Sequence, residues 1–320
     1  MKVAVVGAGG IGKRHIANLA WMSEVDLVAI CDVDVEKARV IGAKHEVKEI
    51  YDTLENMLRR HDLDGVFVCT PPFAHAEAIK MCAERGVNVF VEKPLDCNLD
   101  GARESVKACS SHGVISQVGY HWRFNPGRRE ARRVLIEEGG SLGLFEGRWW
   151  GGIYGVPWWT KRSLSGGQIT EQTTHIFDQA RWMMGEVDTV YALLETRINQ
   201  GLPDYDIEDV AVVALKFRCG AVGVVTSTNA TAHGEVGVKI VAENLKYEDH
   251  ADRVVLRWRD HEAEYRSSKD AYQAEEEAFI ECVRTGATSD VDVEEGLRSL
   301  ELSLAAIESS EKGRVVKLPL

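Results

Sequence analysis

A glycine-rich turn near the start of the chain restricts how the first part of the chain can fold. The apolar run Val3–Val6 reads as a buried strand, and it leads into the hexapeptide Gly7–Gly12 and then into a helical pattern that continues to about Trp21. In this G-x-G-x-x-G arrangement the first glycine allows a tight turn, the second lets the backbone approach a pyrophosphate, and the third permits close helix–strand packing. An anion would lie at the helix N-terminus. The residues predicted to bind a dinucleotide here are Gly7, Gly9, Gly10, Ile11 and Gly12.

An acidic residue follows the next predicted strand. This strand, Val25–Cys31, ends at Asp32, about 20 residues beyond the glycines. A carboxylate at this place accepts hydrogen bonds from the adenosine ribose hydroxyls and repels a 2′-phosphate, so the sequence favours NAD over NADP. Residues 7–13 also match the phosphate-binding pattern G-x-x-x-x-G-K. We reject a nucleotide triphosphatase because Arg14 stands where that pattern needs a hydroxyl residue for Mg²⁺.

Short apolar runs and helical stretches alternate as far as residue 118, which predicts a Rossmann-type, doubly wound parallel sheet. The predicted strands and helices are Gly65–Cys69, Phe73–Arg85 (helix), Val87–Val91, Asp100–Ser111 (helix) and Val114–Val118. Open parallel sheets bind ligands at the carboxyl ends of their strands. The residues predicted at that edge, and therefore beside the cofactor, are Thr70, Pro71, His75, Glu92 and Lys93.

Lys93 is the most informative residue at this edge. It stands just after a predicted core strand, and Pro94 restricts its backbone, so the backbone conformation of Lys93 is constrained. The alternative is a surface lysine with Pro94 as a stop signal. His75 is interpreted as a helix-start residue near the cofactor rather than as a catalyst, and a simple cap is the alternative.

The pattern changes after Tyr120 and predicts a second domain of α+β type. The predicted helices and strands are Arg128–Glu138 (helix), Val187–Leu194, Val210–Phe217, Ala221–Thr228, Gly237–Val241, Val254–Trp258, Ala271–Arg284 (helix) and Val293–Ser309 (helix). The strands predict a large, open, mostly antiparallel sheet. We therefore predict two domains, a dinucleotide-binding domain at 1–120 and a substrate-binding and oligomerisation domain at 121–320. Because strand residues 210–215 are apolar on both faces, a homodimer or homotetramer through the sheet is expected, unless loops cover that face.

Two local sequences in the second half carry candidate chemistry. If residues from about Thr170 onward form one helix, Glu171, His175 and Asp178 share a face, and the carboxylates orient His175 as a general base. The alternative is a solvated polar face. The stretch 149–159 holds four of the eight tryptophans among glycines and is interpreted as a flexible loop, whose flat aromatic rings suit the apolar faces of a sugar or cyclitol. Trp150 and Trp159 are the candidates there, although at least two of the four rings are expected only to pack.

The composition excludes several partners. The chain has 320 residues, a formal net charge of −12 and a pI near 5.4, which argue against nucleic acid and an anionic membrane surface. Its seven cysteines include no C-x-x-C pair and no zinc spacing, so no metal site is predicted and a reducing, cytoplasmic location is expected. No stretch reads as a signal peptide or a membrane span.

The order of these motifs resembles the Gfo/Idh/MocA family, which includes glucose–fructose oxidoreductase and the inositol dehydrogenases. The motifs are Gly7–Gly12, Asp32, Thr70-Pro71, Glu92-Lys93-Pro94 and Gly166–Asp178. The resemblance implies a Rossmann domain joined to an open antiparallel sheet that commonly mediates dimers or tetramers. It also implies that Lys93 is the active-site lysine, that His175 is the general acid/base, and that the bond into Pro94 is a candidate for cis geometry. By the same resemblance, Asp178 is a substrate or supporting ligand and Arg123 lies near the cleft.

The chain departs from the family pattern beside the histidine. Glu171 stands where the sugar and inositol dehydrogenases usually carry Asp, and Thr173 where they often carry Gly. The extra methylene of Glu171 displaces a carboxylate by roughly 1.5 Å, which puts the substrate in question more than the redox chemistry.

The leading hypothesis is an NAD-dependent dehydrogenase or reductase for a secondary alcohol of a sugar, cyclitol or related polyol, with Lys93, His175 and Glu171 as catalytic residues. One alternative is an NAD-retaining, redox-assisted glycosidase or lyase, in which Glu171 serves as an extra acid/base. The other is a non-enzymatic, dinucleotide-sensing regulator, which would be free to lose Lys93 and His175.

Overall fold

The computed structural model describes all residues of the chain, Met1–Leu320, and these form two compact units. The first unit contains Met1–Gly119 and Tyr272–Leu297, and the second contains Tyr120–Ala271 and Arg298–Leu320. The division after Gly119 lies where the sequence pattern changes. The return of Tyr272–Leu297 to the first unit was not predicted. No helix combines the length and the apolar character needed to cross a lipid bilayer.

The first unit is built on a six-stranded parallel sheet with the strand order β3-β2-β1-β4-β5-β6. Its strands are β1 (Lys2–Val6), β2 (Asp26–Cys31), β3 (Glu49–Tyr51), β4 (Gly65–Val68), β5 (Asn88–Val91) and β6 (Ser116–Val118). The order reverses between β1 and β4, which confirms the doubly wound sheet and marks the place where such sheets bind ligands. Every residue of β4 is buried, as expected of a parallel strand covered on both faces.

The second unit is built on a nine-stranded sheet with the order β14-β13-β12-β11-β7-β10-β9-β8-β15. Its strands are β7 (Leu142–Trp150), β8 (Val187–Glu195), β9 (Val210–Phe217), β10 (Val222–Thr228), β11 (Glu235–Ala242), β12 (Lys246–Asp249), β13 (Arg253–Arg257), β14 (Glu262–Arg266) and β15 (Val316–Lys317). Only β7 and β10 pair in parallel, so the prediction of a mostly antiparallel sheet is confirmed.

Eleven helices accompany the two sheets. They are α1 (Gly10–Leu19), α2 (Val35–Lys44), α3 (Leu54–Arg60), α4 (His75–Ala83), α5 (Leu99–His112), α6 (Pro126–Glu138), α7 (Arg162–Ser165), α8 (Gln168–Glu171), α9 (Thr174–Met184), α10 (Ala271–Thr285) and α11 (Val293–Lys312). Short 3₁₀ turns at Pro72–Ala74 and His121–Phe124 precede α4 and α6.

An aromatic cluster explains why the segment after residue 271 packs with the first sheet. Phe279 of α10 is fully buried and meets the rings of Phe67 on β4 and Phe90 on β5 at centroid distances of 5.3 and 5.9 Å. The Gln117 side chain also donates to the Glu275 carbonyl at 2.8 Å. The sheet core of the first unit is therefore completed by a helix from late in the chain.

Candidate active site

The glycine-rich turn has the geometry that its sequence predicts. Gly7 follows β1 with a φ of +94°, and a Cβ atom there would lie 2.6 Å from the Cys69 carbonyl oxygen at the end of β4. A Cβ on Gly12 would lie 1.8 Å from the carbonyl oxygen of Gly7. Both positions exclude any side chain, so the turn depends on glycine at each of them.

The start of α1 fits a dinucleotide pyrophosphate. Gly9 caps the helix without a side-chain hydrogen bond, and the first turn holds no acidic residue that would repel an anion. A Cβ atom on Gly9 or Gly10 would meet nothing within 4 Å, which leaves room beside the backbone amides. Thr70 supplies a buried hydroxyl oxygen, Oγ1, that has no hydrogen-bond partner in the chain. The groups that would hold a dinucleotide are therefore present at the switch point of the sheet.

Asp32 is buried at the end of β2 and is already hydrogen-bonded. It accepts from the backbone amides of Ala8 at 2.6 Å and Asp34 at 2.9 Å, and it pairs with the Lys37 ammonium at 3.0 Å. Burial alone would raise the pKa of Asp32, but these three donors outweigh it and hold the pKa below its usual value. The carboxylate is therefore charged at neutral pH, as ribose binding requires, and a lysine partly balances its charge.

Lys93 stands two residues after Val91, the last residue of β5, at the same edge of the sheet as the glycine turn. The Lys93–Pro94 bond is cis, which confirms that expectation. The backbone amide of Lys93 donates to the Glu92 carboxylate at 3.1 Å, and its side chain is half-buried. The backbone on both sides of Lys93 is therefore held by defined partners.

His75 is fully buried and connects the ends of β4 and β5. Its two ring nitrogens lie 2.9 Å from the Pro94 carbonyl oxygen and 2.8 Å from the Thr70 carbonyl oxygen. Burial lowers the pKa of His75 despite the opposing effect of these carbonyls, so the ring is neutral and donates to one of them. Its contact with a cofactor stays a prediction.

His175, in the second unit, is buried among aromatic rings. Its imidazole stacks near the indoles of Trp149 and Trp122, at centroid distances of 5.4 and 5.6 Å with interplanar angles of 17° and 24°. The rings of His121 and Tyr120 meet it edge-on at 5.0 and 6.0 Å. The rings on several sides restrict the plane of the imidazole, which is what an oriented acid/base needs.

The predicted continuous helix through Glu171, His175 and Asp178 is wrong. Helix α8 ends at Glu171 and α9 begins at Thr174. The His175 amide donates to the carbonyl of Gln172, three residues back, instead of continuing the four-residue spacing from Glu171. The tight turn between the helices changes the angular position of Glu171, so the common helical face assumed from the spacing does not exist.

Glu171 and the Gly-Gly pair before it take part in local packing. The Glu171 carboxylate accepts a hydrogen bond from the indole of the fully buried Trp159 at 2.7 Å. Gly167, at a φ of +94°, lies so close to Glu208 that a Cβ would come within 2.7 Å of its carboxylate. The group that approaches this glycine is thus a side chain of the same unit.

Arg123 and Asp178, both candidates for substrate binding, form a buried ion pair with each other. The Arg123 guanidinium donates to both Asp178 oxygens, at 2.7–3.1 Å. The hydroxyl of Ser299 adds a hydrogen bond to Asp178 at 2.9 Å. The pair ties α9, three residues beyond His175, to the 3₁₀ turn at residues 121–124. Direct contact of either residue with a substrate stays a prediction.

The tryptophans predicted on a loop are divided between a strand and a turn. Trp149 and Trp150 are the last residues of β7, where they pair with β10 and β11, so their assignment to a flexible loop was wrong. Trp150 is 38% exposed and donates to Thr226, whereas Trp159 is fully buried. Of the two candidates for substrate binding, only Trp150 presents an accessible ring in this unit.

The aromatic residues that surround His175 were not predicted from the sequence. Trp149 was treated as part of the loop, and its indole donates to Gln172 in the turn between α8 and α9 at 2.9 Å. Trp122 lies one residue before Arg123 and takes the Arg128 guanidinium over its ring at 4.3 Å. The alternation of residues 142–150 was the available signal, because it places Trp149 on the inner face of a strand.

Comparison with known families gives matches along most of the chain. Residues 1–120 match the Gfo/Idh/MocA model described as an oxidoreductase family with an NAD-binding Rossmann fold. Residues 133–318 match the model of the C-terminal alpha/beta domain of the same oxidoreductase family. The two matches follow one another in the order of the two sheets.

Individual relatives match over the full length. The chain is 28% identical to the myo-inositol 2-dehydrogenase of Thermotoga maritima, over 99% of this chain and 98% of that protein. It is 27% identical to the D-xylose 1-dehydrogenase (NADP(+)) 2 of Haloferax volcanii, over 99% of this chain and 100% of that protein. The structure of a probable dehydrogenase from Thermotoga maritima superimposes with a TM-score of 0.87 at 27% identity and covers 99% of both chains.

Proposed function

Because this chain belongs to the Gfo/Idh/MocA family of NAD-binding oxidoreductases, we propose that it acts on CH–OH groups and oxidises or reduces a secondary alcohol position of a sugar, cyclitol or related polyol. The full-length relatives named for inositol and xylose support a substrate of this class. The observation that carries the proposal is the position of Lys93, at the same sheet edge as a glycine turn and an uncapped helix start that fit a dinucleotide.

Each candidate residue has a distinct role in the proposed reaction. Bound NAD would supply hydride exchange with the substrate carbon at C4 of its nicotinamide ring. The Lys93 ammonium donates to the reacting oxygen and stabilises the negative charge that develops there. His175 takes the hydroxyl proton during oxidation and returns it during reduction. Glu171, through its bond to Trp159, holds the segment that leads into His175, and Trp150 offers an aromatic face to the sugar ring.

We assign NAD as the preferred cofactor. Asp32 is held in its charged form, and its position about 20 residues beyond the glycines is that of the ribose acceptor in dinucleotide-binding folds, which supports this assignment. Its pairing with Lys37 reduces the repulsion that a 2′-phosphate would meet, so the preference for NAD over NADP is smaller than Asp32 alone would give.

The second sheet supports a homo-oligomer. Its strands β8, β9 and β10 leave Leu193, Val212 and Val222 about half exposed, at 58, 49 and 52%. Leu193 and Val212 lie directly opposite each other on β8 and β9, and apolar pairs on an exposed sheet face favour self-association over solvent exposure. We propose that a second copy of the chain covers this face.

Two substitutions test the catalytic assignment. Lys93→Met and His175→Ala should each lower kcat by at least about 10³-fold, because one removes the charge on the reacting oxygen and the other the proton acceptor. Turnover is measured as NADH formation with a panel of sugars and polyols, and NADH binding by fluorescence should be kept in both variants.

The exposed residues Lys80 and His112 provide matched controls. Lys80→Met and His112→Ala should leave turnover unchanged. Near-normal turnover in the Lys93 or His175 variant would contradict the assignment. Net hydrolysis of a glycoside without added NAD would instead support the redox-assisted alternative.

A further inference from the structure

A cluster of charged side chains is buried inside the first unit, beside residues 92–93. His15 of α1 is fully buried between two carboxylates. Its Nδ1 atom lies 2.6 Å from Glu276 of α10, and its Nε2 atom lies 3.0 Å from Glu92 at the end of β5. The imidazole therefore bridges the cofactor-binding helix, the late helix α10 and the strand that carries Lys93.

Two carboxyl neighbours, one at each ring nitrogen, favour the imidazolium form of His15. A carboxylate accepts hydrogen bonds, so both ring nitrogens must carry a proton to donate to Glu276 and Glu92. Burial lowers the pKa of His15, but the hydrogen bonds and charges of Glu276 and Glu92 together outweigh burial and raise the pKa to about 9. The ring is therefore positively charged at neutral pH.

Other groups around the ring are consistent with a buried cation. One ring nitrogen of His15 and one carboxylate oxygen each of Glu92 and Glu275 lie within 4.8 Å of one another. A third carboxylate therefore faces the ring, from α10. The Asn18 amide donates to Glu276, and Arg14 lies over the ring of Tyr272 at 4.0 Å. Cys69 lies close enough to the three carboxylates that they add to the effect of burial in raising the pKa of its thiol, so it is neutral.

Glu92 transmits this arrangement to Lys93. One of its carboxylate oxygens faces His15, and the other accepts the backbone amide of Lys93 at 3.1 Å. A Cβ atom on Gly119 would lie 3.2 Å from the Glu92 carboxyl carbon, so the backbone of residue 119 also packs closely on this side chain. The position of the Lys93 amide thus depends on where His15 holds Glu92.

We propose that His15 is a positioning residue for Lys93. It acts as a cationic bridge between Glu276 and Glu92 and thereby fixes the position of the Lys93 backbone beyond the end of β5. The inference rests on the catalytic role of Lys93 proposed above. Without the bridge, Glu92 would face Glu275 and Glu276 with no cation between them, and mutual repulsion would move it. A displacement of about 1 Å at a catalytic group can cost on the order of 100-fold in rate.

The first experiment compares His15→Gln with His112→Gln, an exposed histidine at the end of α5. His15→Gln should lower kcat by roughly 10- to 100-fold and leave the NADH dissociation constant within about threefold, whereas His112→Gln should change neither. In a Lys93→Arg background, where the lysine geometry is already lost, His15→Gln should lower kcat by a much smaller factor than it does in the wild type. Equal losses in both backgrounds would overturn the inference.

The second experiment uses pH and the nearly isosteric Glu276→Gln. Because the folded-state pKa of His15 is raised, the bridge is present at low and neutral pH and is lost as pH rises through about 9. The kcat of the wild type should fall over that range, and Glu276→Gln should move the fall to lower pH, since one of the two charges that favour the imidazolium is gone. An unmoved profile would overturn the proposal, and this variant keeps the test open if His15→Gln does not fold.

Imidazole NMR separates this inference from the proposed function. The His15 resonance, assigned by its absence in His15→Gln, should titrate near pH 9 in the wild type and lower in Glu276→Gln, whatever substrate the enzyme uses. Full turnover in Lys93→Met would refute the proposed function without affecting this titration. A His15 ring that titrates at its ordinary pH would refute the cationic bridge while leaving the role of Lys93 standing.

Discussion

At the scale of single residues, we expect cofactor preference to depend on a charge pair and not on one carboxylate. Asp32 alone would repel a 2′-phosphate, but the Lys37 ammonium lies 3.0 Å from it and would attract the same phosphate. The backbone amides of Ala8 and Asp34 keep the carboxylate in place whether or not the lysine moves. The net preference is therefore a difference between two opposing contributions.

Asp32→Ser should shift the preference toward NADP. It removes the negative charge and leaves Lys37 able to meet the 2′-phosphate, so the ratio of kcat/KM for NADP to that for NAD should rise by about 10-fold or more. Steady-state kinetics with both cofactors measure this ratio. Adding Lys37→Met should reverse much of the gain, and Glu36→Gln, an exposed change on the same helix, should leave the ratio unaltered. A ratio unchanged in Asp32→Ser would mean that this residue does not select the cofactor.

The glycine turn was predictable because its requirements are local, whereas the partner of Asp32 was not. A tight turn after a strand needs a positive φ at Gly7 whatever surrounds it. Lys37 reaches Asp32 only because α2 begins after Asp34, whose side chain caps the helix through the Lys37 amide. The sequence shows both charges but not the rotation of the helix that brings them together.

At the scale of secondary-structure elements, the turn between α8 and α9 decides where His175 points. A 3.6-residue period predicted one helix, but the chain uses a tighter turn at residues 172–173, where Thr173 bonds to Ser227 at 2.6 Å. Periodicity identified the polar residues but not their angular relation. It could not show the turn, because Thr173 bonds to Ser227 on β10, more than 50 residues away in sequence.

Gly167→Ala should destabilise the second unit. The residue has a φ of +94°, and its new Cβ would lie 2.7 Å from the Glu208 carboxylate, so the substitution should cost about 1–3 kcal/mol of unfolding free energy. Urea unfolding measures the change. The comparison variant is Gly155→Ala, where a Cβ meets nothing within 4 Å. If the two substitutions cost the same, the close approach to Glu208 does not matter for stability.

At the scale of the whole molecule, the exposed face of the second sheet predicts assembly. The strand β9 alternates buried and exposed residues, which places Val212 and Lys216 on the outer face. The sequence did not show this alternation, because residues 210–215 are apolar throughout. Which exposed side chains lie beside one another follows from the pairing of β9 with β8 and β10, and sequence patterns do not reveal that register.

Charge introduced on this face should prevent assembly. Wild-type protein should have the mass of a dimer or tetramer by light scattering. The single variants Leu193→Lys and Val212→Glu should each shift toward the mass of one chain, because an unpaired charge would have to be buried in the interface. Lys216→Glu, on the same strand, keeps a charge at an exposed position and should matter less. A monomeric wild type would contradict the proposed oligomer.

The late return of the chain to the first unit has a consequence for synthesis on the ribosome. Phe279 packs against the rings of Phe67 and Phe90. The backbone carbonyl of Glu275 accepts a hydrogen bond from the side-chain amide of Gln117, 158 positions away in sequence. A nascent chain that has released all six strands of the parallel sheet still lacks this cover. We therefore expect the dinucleotide-binding unit to stay open to chaperones until most of the chain has been translated, even though all six strands of its sheet lie within the first 118 residues.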